Sequence, residues 1–280
     1  MLYSIKKNIL IVIDLIKKSL SLCNLNADES KGFVSSLTKL RFLPYTRVKV
    51  PFSLGRTIRG LSFKKNLMHD PYGKLVLGIA EGIDKKILTK NVLEEFKRES
   101  QINAAEIVHL NENTRLRKFP AWAIVMPWER LDVEWRFKTY PDSFYKNRST
   151  NDLTFENSSR LSIIKYMYSA KSAESKVNQM SKIFNSIKSN QFRLNYPLPK
   201  INIMVKGDEW RWFMSDAGNH RSYICACLDF EFFDASIGSI INKNDLNSWP
   251  NVTNGTYSPK EAEYIFDSFF DGSIVLRGIV

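Results

Sequence analysis

INIMVKGDEWRWFMSDAGNHRSYICACL, residues 201–228, contains two alternating runs followed by a run with helical spacing. Apolar residues alternate with polar ones over residues 201–205 and again over residues 210–214, which is the period-two pattern of half-buried strands. Residues 206–209 hold a glycine between the two runs, and glycine supplies the positive φ that a short hairpin connection often needs. The stretch therefore predicts a β-hairpin.

The hairpin is followed by a predicted helix that opens at a glycine turn, because apolar residues recur at helical spacing over residues 223–228. The first backbone N–H groups of a helix have no intrahelical acceptor. Together with His220 and Arg221 they favour an anion, most often a phosphate. An ordinary strand-to-helix turn, capped by Asp216 or Asn219 and with Arg221 in solvent, is the alternative.

Residues 199–228 resemble the core of the ParB/sulfiredoxin-like superfamily, whose members place a G-x-H-R or a related D-G-x-x-R turn at the phosphates of a nucleotide. Residues 176–188 are similar to the helix ending in L-x-x-S-I that precedes the same hairpin in ParB and sulfiredoxin. The resemblance covers about the last half of the chain. It implies the following nucleotide-binding residues: Gly218, Asn219, His220, Arg221, Lys182 and Ser186.

The departures from the family pattern narrow the expected activity. Sulfiredoxin has its catalytic Cys inside the turn, where this chain has Asn219, so its redox chemistry is excluded. The Arg-rich box with which ParB binds CTP is reduced here to Arg221. The turn is most similar to the D-G-H-T-R turn of the free-serine kinases of the superfamily. This likeness implies ATP, or another nucleoside triphosphate or diphosphate, and Mg²⁺ as cofactors.

A hydroxyl kinase also needs a carboxylate that accepts the proton of the attacking hydroxyl. In the serine kinases of the superfamily a glutamate just after an early strand is the catalytic base, and the resemblance implies Glu129 for that role. Residues 119–126 predict the strand that would place Glu129 at a carboxyl edge, where the ligand sites of α/β sheets open. A surface ion pair of Glu129 with Arg136 or Arg130 is the alternative, and Glu134 is a second candidate for the base.

Four further residues complete the predicted site. Asp216 stands just before the turn, where it would orient His220 or ligate Mg²⁺ together with phosphate oxygens, and a helix cap is the alternative. His220 is assigned a catalytic role as a donor to the transferred phosphate. Residues 140–148 are aromatic and turn-rich, which favours a substrate loop with Asn147 and Arg148 as substrate-binding residues. The alternative is an irregular loop docked by its aromatic side chains.

The composition is that of an ordinary globular protein with excess positive charge. Apolar residues make up 44%, charged residues 25%, and the formal net charge is +12. The last 80 residues are acidic, with 6 Lys/Arg against 11 Asp/Glu. Basic residues are scattered over the rest of the chain, which is more typical of solvated helix faces than of a nucleic-acid patch. A nucleic-acid partner is therefore allowed by the charge and is not favoured.

The three cysteines argue against a disulfide. Their number is odd, and Cys225 and Cys227 lie two positions apart on the predicted helix, where side chains do not face each other. A Cys-x-Cys with no other Cys or His cluster is poor zinc spacing. Together with Cys23 they are interpreted as thiols in a reducing cytoplasm.

The N-terminus contains an apolar run, residues 9–13, flanked by lysine pairs and followed by Asp14. It is too short for a transmembrane segment and lacks the cleavage site of a secretory signal. Its periodicity predicts an amphipathic helix that packs on its own domain. Weak peripheral membrane contact through this helix is the alternative.

The predicted fold class is α+β, a small mixed sheet with flanking helices of ParB/sulfiredoxin-like type, joined to an α-rich N-terminal part. The predicted division is into residues 1–115 and a nucleotide-binding domain of residues 116–280. Further elements are predicted as follows: extended chain over residues 39–52, a turn over 70–73, a strand or helix over 75–83, helices over 91–107 and 161–187, a strand over 230–241, and a helix over 259–270 with Ser258 as cap and Glu261 in a capping box.

The sequence thus predicts a cytoplasmic, ATP-dependent phosphotransferase acting on the hydroxyl of a small metabolite such as a sugar, polyol or amino acid. The alternative is a ParB-like nucleotide-switched DNA-binding module, although no helix-turn-helix pattern is found. A ParB-like nuclease would need a cluster of metal-binding carboxylates, and none is found in the sequence.

Overall fold

A five-stranded mixed sheet forms the centre of the protein. The computed structural model describes residues 47–148, 165–190, 198–215 and 218–273, with the backbone alone for residues 142–148. The strands are β1 (Arg47–Pro51), β2 (Gly55–Arg56), β3 (Lys200–Lys206), β4 (Glu209–Met214) and β5 (Phe232–Asn242). Their order is β1-β5-β3-β4-β2. The β1/β5 and β3/β4 pairs are antiparallel, and the β5/β3 and β4/β2 pairs are parallel. The α+β class is therefore confirmed.

Helices cover both faces of the sheet. They are α1 (Phe63–Asn66), α2 (Pro71–Ala80), α3 (Lys85–Ser100), α4 (Ala104–Ile107), α5 (Val133–Arg148), α6 (Ala170–Asn190), α7 (Asn219–Cys227), α8 (Pro250–Thr253) and α9 (Pro259–Asp271). Short 3-10 helices lie at Phe52–Leu54, Leu67–His69, Leu116–Lys118, Ala121–Ala123 and Lys243–Ser248. Within the described part of the chain, none of the helices combines the length and the apolarity that crossing a membrane requires.

The central hairpin and the helix after it are confirmed. Strands β3 and β4 pair from Ile201 opposite Met214 to Lys206 opposite Glu209. The two-residue loop between them begins at Gly207, whose φ is +60°. A positive φ at the first loop position is what the type II′ turn requires, so glycine fits there without strain.

Alternation along the strands divides the apolar residues between two cores. The first core lies on the face that carries α2, α6 and α7, and the second lies on the face that carries α9. The buried strand residues that face the first core are Val48, Val50, Ile201, Ile203, Val205, Trp210, Trp212, Met214, Phe233 and Ala235. Those that face the second are Met204, Phe213 and Ile241. Successive side chains of a strand point to opposite faces of the sheet, so the sheet separates the two cores.

The predicted turn at residues 70–73 is instead the start of α2. The Asp70 side chain accepts hydrogen bonds from the backbone N–H groups of Tyr72 and Gly73, and Pro71 occupies the first helical position. Asp, Pro and Gly are common both in turns and at the start of a helix, so the sequence alone did not distinguish the two. The ambiguous segment over residues 75–83 is accordingly helical in its first part.

The predicted helix over residues 91–107 is divided into two helices. Helix α3 already begins at Lys85 and ends at Ser100. Asn103 then caps α4 in a reciprocal capping box with Glu106, so the chain changes direction between the two helices.

The predicted strand over residues 119–126 is wrong. The segment forms a 3-10 turn at Ala121–Ala123 and then runs irregularly. Side chains take the hydrogen bonds that a neighbouring strand would have taken: Arg136 donates to the carbonyl of Ile124, Tyr257 to that of Val125 and Asn251 to that of Met126. All residues from 121 to 127 are buried, so the apparent alternation did not mark an inner and an outer face.

The predicted loop over residues 140–148 is also wrong, because α5 continues through it to Arg148 with Pro141 inside the helix. Its turn-forming residues include Pro141, and proline in a helix interior removes one backbone hydrogen bond and usually ends the helix, so the composition favours a loop.

Three further elements match their predictions. Strand β5 covers the predicted run, and β1 covers the described end of the extended chain predicted over residues 39–52. Helix α9 starts with Ser258 as its cap and Glu261 completing the capping box. The predicted N-terminal amphipathic helix and Cys23 lie outside the described residues. The division at residues 115 and 116 stays a prediction, and β1 and β2 from the first part join the sheet of the second.

Candidate functional site

The start of α7 is formed by Gly218, which occupies the N-cap position with a φ of +109° and gives no side-chain cap. A Cβ atom on this residue would lie 2.5 Å from Cβ of Pro199 and 2.7 Å from Cε of Met214. Both the backbone angle and the close packing therefore require glycine. The predicted cap by Asn219 is absent, and the Oδ1 atom of Asn219 is buried without a hydrogen-bond partner among the described residues.

A lysine and a histidine meet at the first turn of α7. Nζ of Lys176, on α6, lies 3.3 Å from Nε2 of His220. A lysine ammonium only donates hydrogen bonds, so Nε2 accepts and the proton of the neutral ring is on Nδ1. The same Nζ lies 5.2 Å from the centre of the Tyr72 ring, at cation–π distance. A buried cation therefore stands beside the helix N-terminus, where the helix dipole also favours negative charge.

Arg221 is the second cation at this turn. Its side chain is half-buried, and it makes no ion pair or side-chain hydrogen bond within the described residues. The planar guanidinium of arginine matches a pair of phosphate oxygens. The guanidinium of Arg221 is therefore available to pair with an anion that binds at this turn.

Buried hydrogen bonds fix α7 against the start of α2. The hydroxyl of Tyr223 donates to Oδ2 of Asp70 over 2.8 Å, while Oδ1 of Asp70 caps α2. Burial and the nearby Asp70 carboxylate raise the pKa of Tyr223 well above its usual value, so the hydroxyl remains a donor. The first turn of α7 is thus held in a fixed orientation relative to Tyr72.

A buried ion pair lies on the other side of Lys176. Nη2 of Arg59 lies 2.8 Å from Oε1 of Glu99, and both side chains are almost fully buried. Burial raises the pKa of Glu99 to about 7, against the opposing effect of Arg59. Burial alone would lower the pKa of Arg59, but the carboxylates of Asp70 and Glu99 reverse the shift and raise it. A carboxyl group that titrates near neutral pH is a recurrent feature of functional sites.

Glu129 lies on the other face of the sheet from His220. It follows Trp128, which packs on Phe213, Trp249, Phe266 and Phe269 of the second core. Its carboxylate forms an ion pair with Arg136 over 2.7 Å, which is the alternative that the sequence left open. Buried Asn251 donates to the backbone carbonyl of Glu129 and fixes this loop. The structure therefore does not bring Glu129 and His220 together.

The other residues implied by the resemblance are dispersed. Lys182 and Ser186 are exposed on α6, whereas Lys176 is on its buried face. Asn147 and Arg148 belong to the end of α5, where only the backbone is described. Asp216 lies outside the described residues. Glu134 forms an ion pair with Arg115.

Sequence reasoning missed the residues around Lys176, although one signal was present. Lys176 shares the apolar stripe of α6 with Val177, Met180, Phe184 and Ile187. A lysine on the buried stripe of an amphipathic helix has to find a polar partner inside the fold. No comparable signal existed for Arg59, Tyr72 or Glu99, because only the packing of distant segments brings them together.

The described residues contain neither a metal-binding cluster nor a reactive thiol. No three His, Cys, Asp or Glu side chains converge there in a way that could hold a metal ion. Cys225 and Cys227 are both free, and burial raises the pKa of each thiol, that of Cys225 to about 12. Both are therefore protonated at neutral pH and poorly reactive.

The first turn of α7, with Lys176, Tyr72 and Arg221, is therefore the candidate anion site of this protein. Comparison of the chain with protein-family models, with curated proteins and with solved structures found no match.

Proposed function

We propose that this protein binds the phosphates of a nucleotide at the start of α7 and transfers phosphate to the hydroxyl of a small metabolite. The observation that carries the proposal is that Arg221 and Lys176 lie at a helix N-terminus that has no side-chain cap among the described residues. Cationic side chains and the first backbone amides of a helix form the usual environment of a bound phosphate. The likeness of the hairpin and turn to the ParB/sulfiredoxin-like superfamily supports the nucleotide over a simple anion.

Each group has a separate part in this proposal. The amides of residues 219–221 would hold phosphate oxygens, and Arg221 would contact an oxygen pair. Lys176, fixed on Tyr72, would neutralise charge that develops on the transferred group. His220 would be oriented by Lys176 at the edge of the same site. Because the Nε2 atom of His220 accepts from Lys176, a donor role for His220 would use Nδ1.

ATP and Mg²⁺ are the proposed cofactors. The amides at the start of α7 and Arg221 would hold the phosphates of ATP, and Mg²⁺ bound with them would neutralise part of their charge. The described residues offer no carboxylate cluster for the metal, so the phosphates would supply most of its ligands.

Substitution of the unpaired arginine tests nucleotide binding. We expect Arg221→Ala to weaken ATP binding about 10- to 100-fold, since a hydrogen bond to a charged group contributes about 1.5–3 kcal/mol. The measurement is isothermal titration calorimetry with ATP in the presence and absence of MgCl₂. Lys118→Ala removes the same charge at an exposed position and should leave the dissociation constant unchanged. If the unsubstituted protein showed no heat of binding with ATP, GTP, CTP or UTP, the proposal would be contradicted.

The choice of catalytic base is tested separately. The resemblance implies Glu129, whereas its ion pair with Arg136 and its position at the second core favour a structural role. We expect Glu129→Gln to retain phosphate transfer once its fold is verified by circular dichroism. Loss of transfer with intact ATP affinity would instead support the assignment from the resemblance.

The second candidate is a nucleotide-switched module that binds DNA. The formal net charge of +12 is the observation that favours it. A DNA-binding protein loses affinity steeply as salt rises, because each neutralised phosphate releases counter-ions. Salt-dependent binding of duplex DNA that requires a nucleotide, without any phosphate transfer, would select this candidate over the kinase.

A further inference from the structure

A cavity of about 300 Å³ lies between α2 and α3, with Lys176 of α6 in its lining. Exposed residues at its mouth are Lys74, Asn91, Glu94 and Arg98. Its inner wall is buried and consists of Arg59, Leu75, Leu88, Phe96, Glu99 and Lys176. The cavity is therefore open at one end and has a mixed apolar and charged interior, which is the usual make-up of a small-molecule site.

A carboxylate oxygen of Glu99 in this wall has no hydrogen-bond partner among the described residues. Glu99 is 2% exposed, and its Oε1 atom accepts from Arg59. Its Oε2 atom is buried without a hydrogen-bond partner among the residues that the structure describes. Leaving a buried carboxylate oxygen unpaired costs free energy, so such an atom in a cavity wall points to a hydrogen-bond donor from a ligand.

The charges of the inner wall indicate the type of ligand. Arg59 and Lys176 of the inner wall are positive and Glu99 is negative, and the half-buried carboxylate of Glu95 also lines the cavity, beside Arg59. Because these four charges balance, neither a net anion nor a net cation gains a net attraction from them. A neutral molecule with several hydroxyls both donates to Glu99 and accepts from Lys176. Leu75, Leu88 and Phe96 offer apolar surface for its C–H groups.

We propose that this cavity binds a neutral polyhydroxylated molecule the size of one monosaccharide, with a hydroxyl donating to Oε2 of Glu99. Lys176 both lines this cavity and contacts His220 in the first turn of α7, so the polyol would lie next to the proposed phosphate site. The role of the polyol as acceptor rests on the proposed function, whereas its binding does not.

The corresponding transfer step is balanced. The acceptor hydroxyl gives its proton to Glu99 as its oxygen forms a bond to the terminal phosphorus of a nucleoside triphosphate. The bond between that phosphorus and the bridging oxygen breaks, and the nucleoside diphosphate leaves with the electron pair. The pKa of Glu99, raised to about 7 by burial, suits a group that accepts a proton near neutral pH.

Ligand-observed NMR of the full chain with D-glucose, D-galactose, D-mannose, myo-inositol and glycerol, without nucleotide, tests the binding. We expect at least one of these compounds to bind. Glu99→Gln and Val92→Trp should each weaken that binding at least tenfold, the first by replacing the acceptor oxygen and the second by filling the cavity beside Val92. Glu112→Gln makes the same chemical change at an exposed position and should leave binding unchanged.

Asn91→Trp provides a second blocking variant at the exposed mouth, where folding is not at risk. Binding that persists in both tryptophan variants would overturn the proposal. So would the absence of binding by all five compounds, or binding only of charged compounds such as glucose 6-phosphate or glucosamine.

Nucleotide affinity separates this inference from the proposed function. Val92→Trp should keep the ATP dissociation constant of the unsubstituted protein, and Arg221→Ala should keep its polyol affinity. ATP binding without polyol binding would reject the cavity assignment alone, and polyol binding without nucleotide binding would reject the proposed function alone.

Discussion

Glu99 carries an ionisable group into the interior of the fold. Burial disfavours the ionised form of Glu99, and its partner Arg59 offsets only part of this effect, so the pKa of Glu99 is raised to about 7. The other charged or titratable groups around it are Glu95, Lys176 and Tyr168. In the unfolded chain a glutamate titrates near its usual pKa of roughly 4.3. The folded protein therefore binds more protons at this position between those two pH values.

This difference predicts a dependence of stability on pH. A raised folded-state pKa stabilises the fold fully below the unfolded pKa, and the contribution is lost as the pH rises through about 7. Glu99→Gln removes the titration. We expect the free energy of unfolding of the unsubstituted protein, relative to Glu99→Gln, to fall by roughly 2–3 kcal/mol between pH 5 and pH 8. Urea denaturation at several pH values measures this difference.

The exposed Glu112→Gln variant is the matched control and should show a constant difference from the unsubstituted protein. A difference for Glu99→Gln that stays constant or rises with pH would show that Glu99 is ionised throughout the range in the folded protein.

At the scale of secondary structure, helix starts depend on a few backbone-compatible residues. Asp70, Asn103 and Ser258 each cap a helix with their side chains. Within the described residues, helix α7 has no such cap and begins at Gly218 instead. Lys176 lies beside its first turn and Arg221 belongs to that turn, so an external anion would find both cations and the first amides of the helix together.

The fixed start of α7 yields a prediction for Gly218→Ala. The positive φ costs about 1–2 kcal/mol for a residue with a side chain. The added methyl group would also meet the rigid Pro199 ring at 2.5 Å, an overpacking that costs about 1–3 kcal/mol. We expect a total loss of roughly 2–5 kcal/mol in the free energy of unfolding, measured by urea denaturation.

Gly207→Ala is the matched control for this substitution. Gly207 also has a positive φ, but a Cβ atom there meets nothing within 4 Å. It should therefore lose only the conformational contribution of about 1 kcal/mol. Equal losses at the two glycines would contradict the packing of Gly218 against Pro199.

At the scale of the whole molecule, distant segments share one sheet. Strand β1 pairs with β5, and the short β2 pairs with β4, so residues 47–56 form both edges of a sheet whose centre comes from residues 200–242. Phe52 and Phe63 pack on Trp212 at centroid distances of 5.6 Å in the first core. Residues 48–88 thus contribute to the same hydrophobic interior as the later strands.

A fragment that starts at residue 116 should therefore not fold alone. It would lack the buried Val48, Val50, Phe52, Phe63, Leu75 and Val76 of the first core. Each such side chain contributes roughly 1.5–3 kcal/mol by burial. Their sum, roughly 9–18 kcal/mol, is as large as the net stability of about 5–15 kcal/mol that a typical domain has.

Circular dichroism and thermal denaturation of the fragment 116–280 measure this outcome, with the full chain as the reference. A cooperative thermal transition of the isolated fragment would contradict it and would support the predicted division of the chain at residues 115 and 116.

The sequence by itself determined the elements whose signals are local. The β3–β4 hairpin, the glycine start of α7, strand β5 and the capped helix α9 follow from alternation, from turn residues and from a capping box within a few positions of each other. The predictions for residues 119–126 and residues 140–148 are wrong. Side chains from distant parts of the chain satisfy the backbone carbonyls of the first segment, so it needs no neighbouring strand. The second segment is helical because α5 tolerates Pro141.

Only the tertiary structure decided which polar residues meet. Lys176 contacts His220 across 44 residues of chain, and Arg59 contacts Glu99 across 40. The resemblance predicts Glu129 near the site, but Glu129 lies on the opposite face of the sheet, where it forms an ion pair with Arg136. Local pattern fixes what each segment tends to form, whereas contacts between distant charged groups depend on how the layers pack, and burial then sets their pKa values and their chemistry.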